Sequence, residues 1–431
     1  MSRFIYKCSL PMSMIDKETL RDIVKKQKIE LQNKEGTIKR EILDEIVKWL
    51  KDKRIIILTG IRRCGKSTLL KQIMEKTLDW CYINFEDERL LDFKAQDFQQ
   101  LNEVLIEIYG TTKIYFFDEI QNIDKFETFV RRLQDEGKKI IITGSNASLL
   151  SKEFGTRLTG RYKPFEVYPF SFKEYLKLKN FTINKDDFYI IERKAKLTKL
   201  LNEYLLTGGM PEYIKNKDKE YIRTLYENIL YRDVIVRYSI KKEKLIKELV
   251  NMLTTNISSQ FTYNSIKKSL GLGNSITVKE YISYLQNSYL LFELQKFSYS
   301  LKEQFNSPKK IYTIDIVFNY LCGLNFSTNK GKILENVVFN ELKRRNNNIY
   351  YHSNKNECDF IVNKETSKYK AIQVCYNINP ENRDREINGL LEAMDKLKIK
   401  QGIIITYEQK EEIEINGKKI EIIPSYKWLI E

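Results

Sequence analysis

Gly60-Ile61-Arg62-Arg63-Cys64-Gly65-Lys66-Ser67 matches the spacing G-x-x-x-x-G-K-[ST] position by position. Residues of these types at this spacing bind phosphate. The two glycines let the main chain turn tightly enough for several amide N–H groups to converge on one anion. A helix beginning near Lys66 adds the positive end of its dipole. The Lys66 ammonium then reaches β- and γ-phosphate oxygens, and the Ser67 hydroxyl sits on Mg²⁺. Gly60 to Ser67, with Thr68 behind them, form a candidate cradle for a nucleoside triphosphate with its Mg²⁺. The competing reading is a chance glycine turn followed by a solvated lysine.

A second group supplies hydrolysis. Lys113-Ile114-Tyr115-Phe116-Phe117 is an apolar strand closed by Asp118 and Glu119. Asp118 is placed to hold Mg²⁺ through water, and Glu119 to polarise a water that attacks the γ-phosphate. Ser145 and Asn146 end another apolar run and can hydrogen-bond the γ-phosphate or that water. Arg157 and Arg161 are candidates for stabilising charge in the transition state, against the plainer alternative of surface salt bridges.

These residues need a scaffold that brings strand ends to one edge. Ile55-Ile56-Ile57-Leu58 reads as a buried parallel strand, and Thr68 to Met74 continues as a helix. Further strands are expected over 80–85, 113–119, 139–146 and 165–169. In a parallel α/β sheet their carboxyl ends share the edge where ligands bind. An amphipathic helix is expected over Ile38–Leu50, and residues 1–36 read as a helical extension with a solvated basic side. Residues 172–238 are helical, broken at Thr207-Gly208-Gly209-Met210-Pro211, which reads as a packing corner.

Composition narrows the rest. The chain has 431 residues, 42% hydrophobic and 31% charged, enough for several globular domains. No apolar run approaches the roughly 18 residues of a membrane span. The N-terminus lacks the apolar core of a signal peptide, and six scattered cysteines form no C-x-x-C pair, so the expected location is cytoplasmic, with no membrane partner. A single histidine, His352, excludes H-E-x-x-H metal chemistry and argues against a serine or cysteine triad. The net charge of +16 permits a nucleic-acid partner without requiring one.

Gly60–Ser67, Asp118-Glu119, Thr143-Gly144-Ser145 and Gly160-Arg161, continued by Gly208-Gly209-Met210-Pro211-Glu212 and Tyr231-Arg232-Asp233, carry a resemblance. From Ile38 onward the chain resembles bacterial and archaeal AAA-type P-loop ATPases, related to signal-transducing (STAND-like) switches, with a restriction-endonuclease-like C-terminal domain of unknown function. The resemblance implies a P-loop NTPase core of the additional-strand, catalytic-glutamate class over 37–178. It also implies a helical lid over 179–240, and ATP rather than GTP as ligand.

Two modules follow. Residues 241–325 show short helices and then a strand pair, the element order of a winged helix-turn-helix, with a basic excess but few base-reading side chains on its third helix. Residues 326–431 form an α/β unit whose order resembles the PD-(D/E)-x-K nuclease core. Asp359 fits its first position and Gln373 its second, with Glu335 and Glu357 as further ligands, but Cys375 occupies the lysine position. A thiol cannot orient water as an ammonium does, and Lys370 is a weak substitute. This points to a degenerate nuclease site. The expected function is an ATP-hydrolysing switch whose C-terminal modules engage DNA, a protein partner or a second copy. The alternatives are an ATP-gated, metal-dependent DNA nuclease acting against foreign DNA, and a protein that holds ATP without turnover.

Overall fold

A computed structural model describes residues 15–32, 36–147, 160–322, 329–345, 347–363 and 368–431. The chain forms two compact units, one of residues 1–59, 66–144 and 148–165, the other of 60–65, 145–147 and 166–431.

The first unit is built on β1 (Ile55–Thr59), buried at every position as its unbroken apolar run requires. It joins β2 (Trp80–Asn84), β3 (Ile114–Asp118), β4 (Lys139–Gly144) and β5 (Tyr162–Glu166) in the order β2-β3-β4-β1-β5. The β2/β3, β3/β4 and β4/β1 pairs are parallel. An additional strand, β4, thus separates the strand before the glycine loop from the strand that ends in carboxylates. Helices α1 (Lys17–Gln32), α2 (Leu43–Lys48), α3 (Lys66–Met74), α4 (Phe98–Tyr109) and α5 (Phe126–Asp135) accompany the sheet. Between them lies an aromatic core in which Phe98 stacks on Phe129 at 4.5 Å and touches Phe85 and Phe93 edge-on.

The N-terminal helix is no appendage. Leu20, Ile23 and Val24 are fully buried in that core, each worth roughly 1.5–3 kcal/mol relative to exposure. Gln27 donates to the Asn84 carbonyl and accepts from the Asn84 amide, so α1 is fastened to the end of β2. The helix expected over 38–50 is shorter, Leu43–Lys48; ahead of it the Arg40 amide donates to Gln72 on α3 rather than within a helix.

In the second unit, α6 (Phe172–Leu178), α7 (Ile191–Thr207), α8 (Pro211–Asn216) and α9 (Lys219–Asn228) lead into a π-helical turn, Ile229–Val236. Then come α10 (Glu243–Thr255), β6 (Gln260–Phe261), α11 (Tyr263–Ser269), α12 (Ser275–Asn287), β7 (Leu291–Gln295), α13 (Leu301–Asn306), β8 (Lys309–Thr313) and α14 (Val317–Cys322). Their strands form a small antiparallel sheet, β6-β8-β7. After α15 (Lys330–Arg344) a mixed sheet is ordered β13-β14-β12-β11-β10-β9. Its strands are β9 (Asn348–Ser353), β10 (Glu357–Asn363), β11 (Tyr369–Val374), β12 (Gln401–Thr406), β13 (Glu411–Ile415) and β14 (Lys418–Pro424). Helices α16 (Arg383–Leu397) and α17 (Ser425–Ile430) complete it.

Helix α15 is buried on every side from Ile333 to Leu342, and three of its polar residues there, Glu335, Asn336 and Asn340, are bonded to strand β8. Asn336 exchanges two hydrogen bonds with the Thr313 backbone, Asn340 donates to the carbonyls of Thr313 and Ile314, and Phe339 stacks on Tyr312 at 4.1 Å. Strand β8 therefore packs as part of both modules on either side of residue 325.

Just beyond β8, the buried Asp315 accepts the amide protons of Gly209 (2.6 Å) and Val317 (2.9 Å). Gly208 must be glycine: its φ is +67°, and a Cβ there would fall 1.7 Å from an Asp315 oxygen. Burial pushes the Asp315 carboxyl up to about 7. A folded-state value above the unfolded one means the native state holds the proton more tightly, so stability is greatest below the unfolded value and falls as pH rises towards 7. We expect Asp315→Asn to remove this contribution, a slope approaching about 1.4 kcal/mol per pH unit. Urea unfolding of both proteins between pH 4.5 and 7.5 measures it, and equal slopes would refute it.

Candidate nucleotide site and a buried charge cluster

In the first unit the parallel register does the positioning. Phe117 pairs with Ile142, which sets Asp118 level with Thr143. The Thr143 hydroxyl donates to the Asp118 carboxylate and accepts the Glu119 amide proton at 2.9 Å. Tyr82 donates to the other Asp118 oxygen at 3.2 Å, and the Ser67 hydroxyl is hydrogen-bonded to Asp118 as well. Burial, and then the Glu119 charge beside it, raise the Asp118 carboxyl above the usual carboxylate range. A cation at this point would relieve that, and oxygen donors such as Ser67 and Asp118 suit Mg²⁺.

Glu119 adopts left-handed backbone at φ +52°, a conformation costing a non-glycine residue about 1–2 kcal/mol. The Thr143 hydrogen bond holds it there. Its carboxylate is engaged on both oxygens: Lys66 Nζ is 3.3 Å from one and Gln121 donates to the other at 2.5 Å. Lys66 is 4% exposed, an ammonium kept out of water and paired with this carboxylate. The structure therefore brings together Lys66, Ser67, Asp118 and Glu119. It adds Thr143 and Gln121, to which sequence reasoning gave no role in the site; the strand register was the signal for Thr143.

The glycine loop itself is pinned within the second unit. A Cβ on Gly60 would lie 2.1 Å from the Val167 carbonyl oxygen, to which Cys64 also donates at 3.2 Å. Cys64 and Ile61 are fully buried, Arg63 has φ +66°, and Arg62 is paired with Asp233. Ser145 and Asn146 follow β4 and are buried. Gly65 ends the loop, and Ser67 and Thr68 open α3 behind Lys66.

Arg161 does not join this group. Its carbonyl accepts the amide proton of Ile55, the first residue of β1, and its guanidinium lies 2.5 Å from Asp135. Five residues of strand, at about 3.3 Å each, separate it from the loop at the other end of β1. In this structure Arg161 is in a salt bridge with Asp135. Arg157 lies outside the described residues.

The C-terminal carboxylates do converge, around a residue that sequence reasoning missed. Lys310, from β8, places its ammonium 2.6 Å from Glu357, 2.9 Å from Asp359 and 3.1 Å from Glu335. Lys370 is exposed on β11 and takes no part. Burial alone would lower the Lys310 ammonium; the charges of Asp359 and Glu335 outweigh it and raise it. Glu335 is pushed up to about 8, by burial first and by Asp359 next. Gln373 accepts from the Asp359 amide and donates to Glu386, while Cys375 donates to the Asn377 carbonyl and is raised by burial to about 11. Glu335, Glu357 and Asp359 line a cavity of about 610 Å³ with Lys332, Lys355 and Arg385. The three N–H bonds of Lys310 all have carboxylate partners, so this ammonium ties the cluster together rather than orienting water.

Comparison with known proteins now adds to the geometry. A family model described as an AAA domain matches residues 52–176, and two domains of unknown function, DUF8612 and DUF4143, match 198–327 and 330–428. The uncharacterized protein MJ1544 of Methanocaldococcus jannaschii is 40% identical over 437 residues, covering 96% of either chain. The chain belongs to the MJ1544 family. An uncharacterized Haemophilus influenzae relative in this family is 31% identical, over 90% of this chain and 97% of its own. Among solved structures, the Walker-type ATPase PABY2304 of Pyrococcus abyssi is similar over 66% of this chain and 96% of its own, with 17% identity and a TM-score of 0.43. The Orc1 protein of Aeropyrum pernix, solved in complex with DNA, is similar over 68% and 94%, with 13% identity and a TM-score of 0.29. The AAA domain and the sheet order make the core a P-loop ATPase fold. Among the described residues no helix is long and apolar enough to cross a membrane.

Proposed function

We propose that this protein binds ATP with Mg²⁺, hydrolyses it, and uses the change of state to control a macromolecular partner held by its C-terminal modules. The observation that carries the reading is the bonded set Lys66, Ser67, Asp118, Glu119 and Thr143. Lys66 exchanges Glu119 for phosphate oxygens, which frees one Glu119 oxygen to accept a proton from water. Thr143 keeps Glu119 aimed while this happens. Ser67 and Asp118 hold the cation, which when bound neutralises charge on the β- and γ-phosphates. The winged-helix-like segment over 241–325, the restriction-endonuclease-like α/β unit after it and the net charge of +16 favour DNA as the partner. The Lys310 cluster supports a unit that holds rather than cuts.

Lys66→Ala tests the nucleotide site. We expect ATP affinity in Mg²⁺, measured by calorimetry, to fall about 10- to 100-fold, the loss of one charge-assisted contact of roughly 1.5–3 kcal/mol. Equal affinity in the two proteins would sink the reading. Phosphate release with and without DNA at several salt concentrations tests the partner: stimulation that fades with salt supports DNA.

A further inference from the structure

Within the second unit the phosphate loop is bonded to a helical element that none of its expected chemistry explains. Arg62 grips Asp233 with a two-pronged contact, Nε to Oδ2 at 3.2 Å and Nη2 to Oδ1 at 3.1 Å. Asp233 is 3% exposed, so the Arg62 guanidinium faces a carboxylate held out of water. It sits in the π-helical turn Ile229–Val236. Such a turn carries one residue more than an α-helical turn and marks functional positions. Just past it, the Tyr238 ring stacks on Tyr284 of α12 at 3.9 Å and 9°, and its hydroxyl accepts from Asn287 of the same helix at 3.0 Å. Loop, turn and α12 are thus joined by direct contacts.

We propose that Asp233 is a positioning residue that makes the occupancy of the phosphate loop felt at α12. The inference rests on ATP binding at that loop. A triphosphate competes with Asp233 for Arg62, because phosphate accepts the guanidinium fork as a carboxylate does and carries more charge. When Arg62 turns to phosphate, the buried Asp233 loses its counter-charge and must move toward water. The turn that holds it shifts, and Tyr238 carries the shift to Tyr284 and Asn287. Because the exchange is a competition, the coupling runs both ways: whatever fixes α12 against Tyr238 favours the Arg62–Asp233 pair and weakens ATP binding.

Amide hydrogen exchange on the full chain, with and without Mg²⁺–ATP, tests this alongside calorimetric ATP affinity. In the natural protein, ATP is expected to raise exchange several-fold across residues 229–238 and 284–287. In Asp233→Asn that exchange is already raised without ATP, and affinity rises a few-fold because no carboxylate at 233 competes with phosphate for Arg62. Should that variant fold poorly, Tyr284→Ala gives an independent reading: ATP then raises exchange at 229–238 but no longer at 284–287. Normal ATP affinity with unchanged exchange at 229–238 overturns the inference and leaves the ATPase reading standing. No ATP affinity overturns both.

Discussion

Glu119→Gln is expected to slow phosphate release by roughly 10²–10⁴-fold, the range lost with a general base, while ATP still binds. Glutamine keeps the shape and the Gln121 contact but cannot take a proton from water. Its backbone amide still donates to Thr143, so the left-handed turn survives. The resting pair with Lys66 is weakened, and the freed ammonium is available to phosphate, so ATP affinity is expected to hold or rise slightly. Single-turnover release of phosphate from Mg²⁺–ATP measures the first effect and calorimetry the second. If release is unchanged, Glu119 is not the base and the chain holds ATP without turning it over by this route. If affinity collapses along with rate, the Lys66–Glu119 pair is a support of the loop rather than a contact that nucleotide replaces.

What the sequence disclosed and what it hid divide by the distance over which each feature is encoded. The phosphate loop is a contiguous stretch between a strand and a helix, so glycine spacing and an apolar run sufficed to place Lys66 and Ser67. Asp118 and Glu119 close a strand, and a parallel sheet sends strand ends to one edge. Arg161 does not share that edge: it precedes its strand, and its carbonyl sits beside the first residue of β1. The apolar stripe Leu20, Ile23, Val24 was visible, but periodicity does not say what covers a stripe, and here the sheet's own core does. Lys310 stands 49 positions before Asp359, on a strand of a different sheet, with nothing in its spacing to mark it. Asp233 lies 171 positions from Arg62. Contacts between elements that are close only after folding leave no periodic trace, and they are the ones that gather Glu335, Glu357 and Asp359 about Lys310.

That cluster gives the largest expected effect on stability. Lys310→Met keeps the aliphatic stem and removes the ammonium, leaving Asp359 and Glu335 buried with an uncompensated charge. Removing one partner from a buried ion pair costs about 3–5 kcal/mol, and we expect a loss in that range by urea unfolding near pH 8. Without Lys310 the carboxyl of Glu335 loses the charge that holds it down and is pushed higher still, by burial and by the neighbouring Asp359, so the native state gains by protonating it. Carboxyls whose folded values lie above their unfolded ones contribute stability at low pH and lose it as pH rises. The deficit of Lys310→Met should therefore shrink steadily from pH 8 to pH 5. Adding Asp359→Asn to Lys310→Met should recover part of the loss at pH 8, because the charge left behind is then gone and the pair is coupled rather than additive. A deficit below about 1 kcal/mol, the worth of a surface pair, or one that does not change with pH, would show that Lys310 is not the counter-charge of this cavity. The carboxylates would then need a cation from solution.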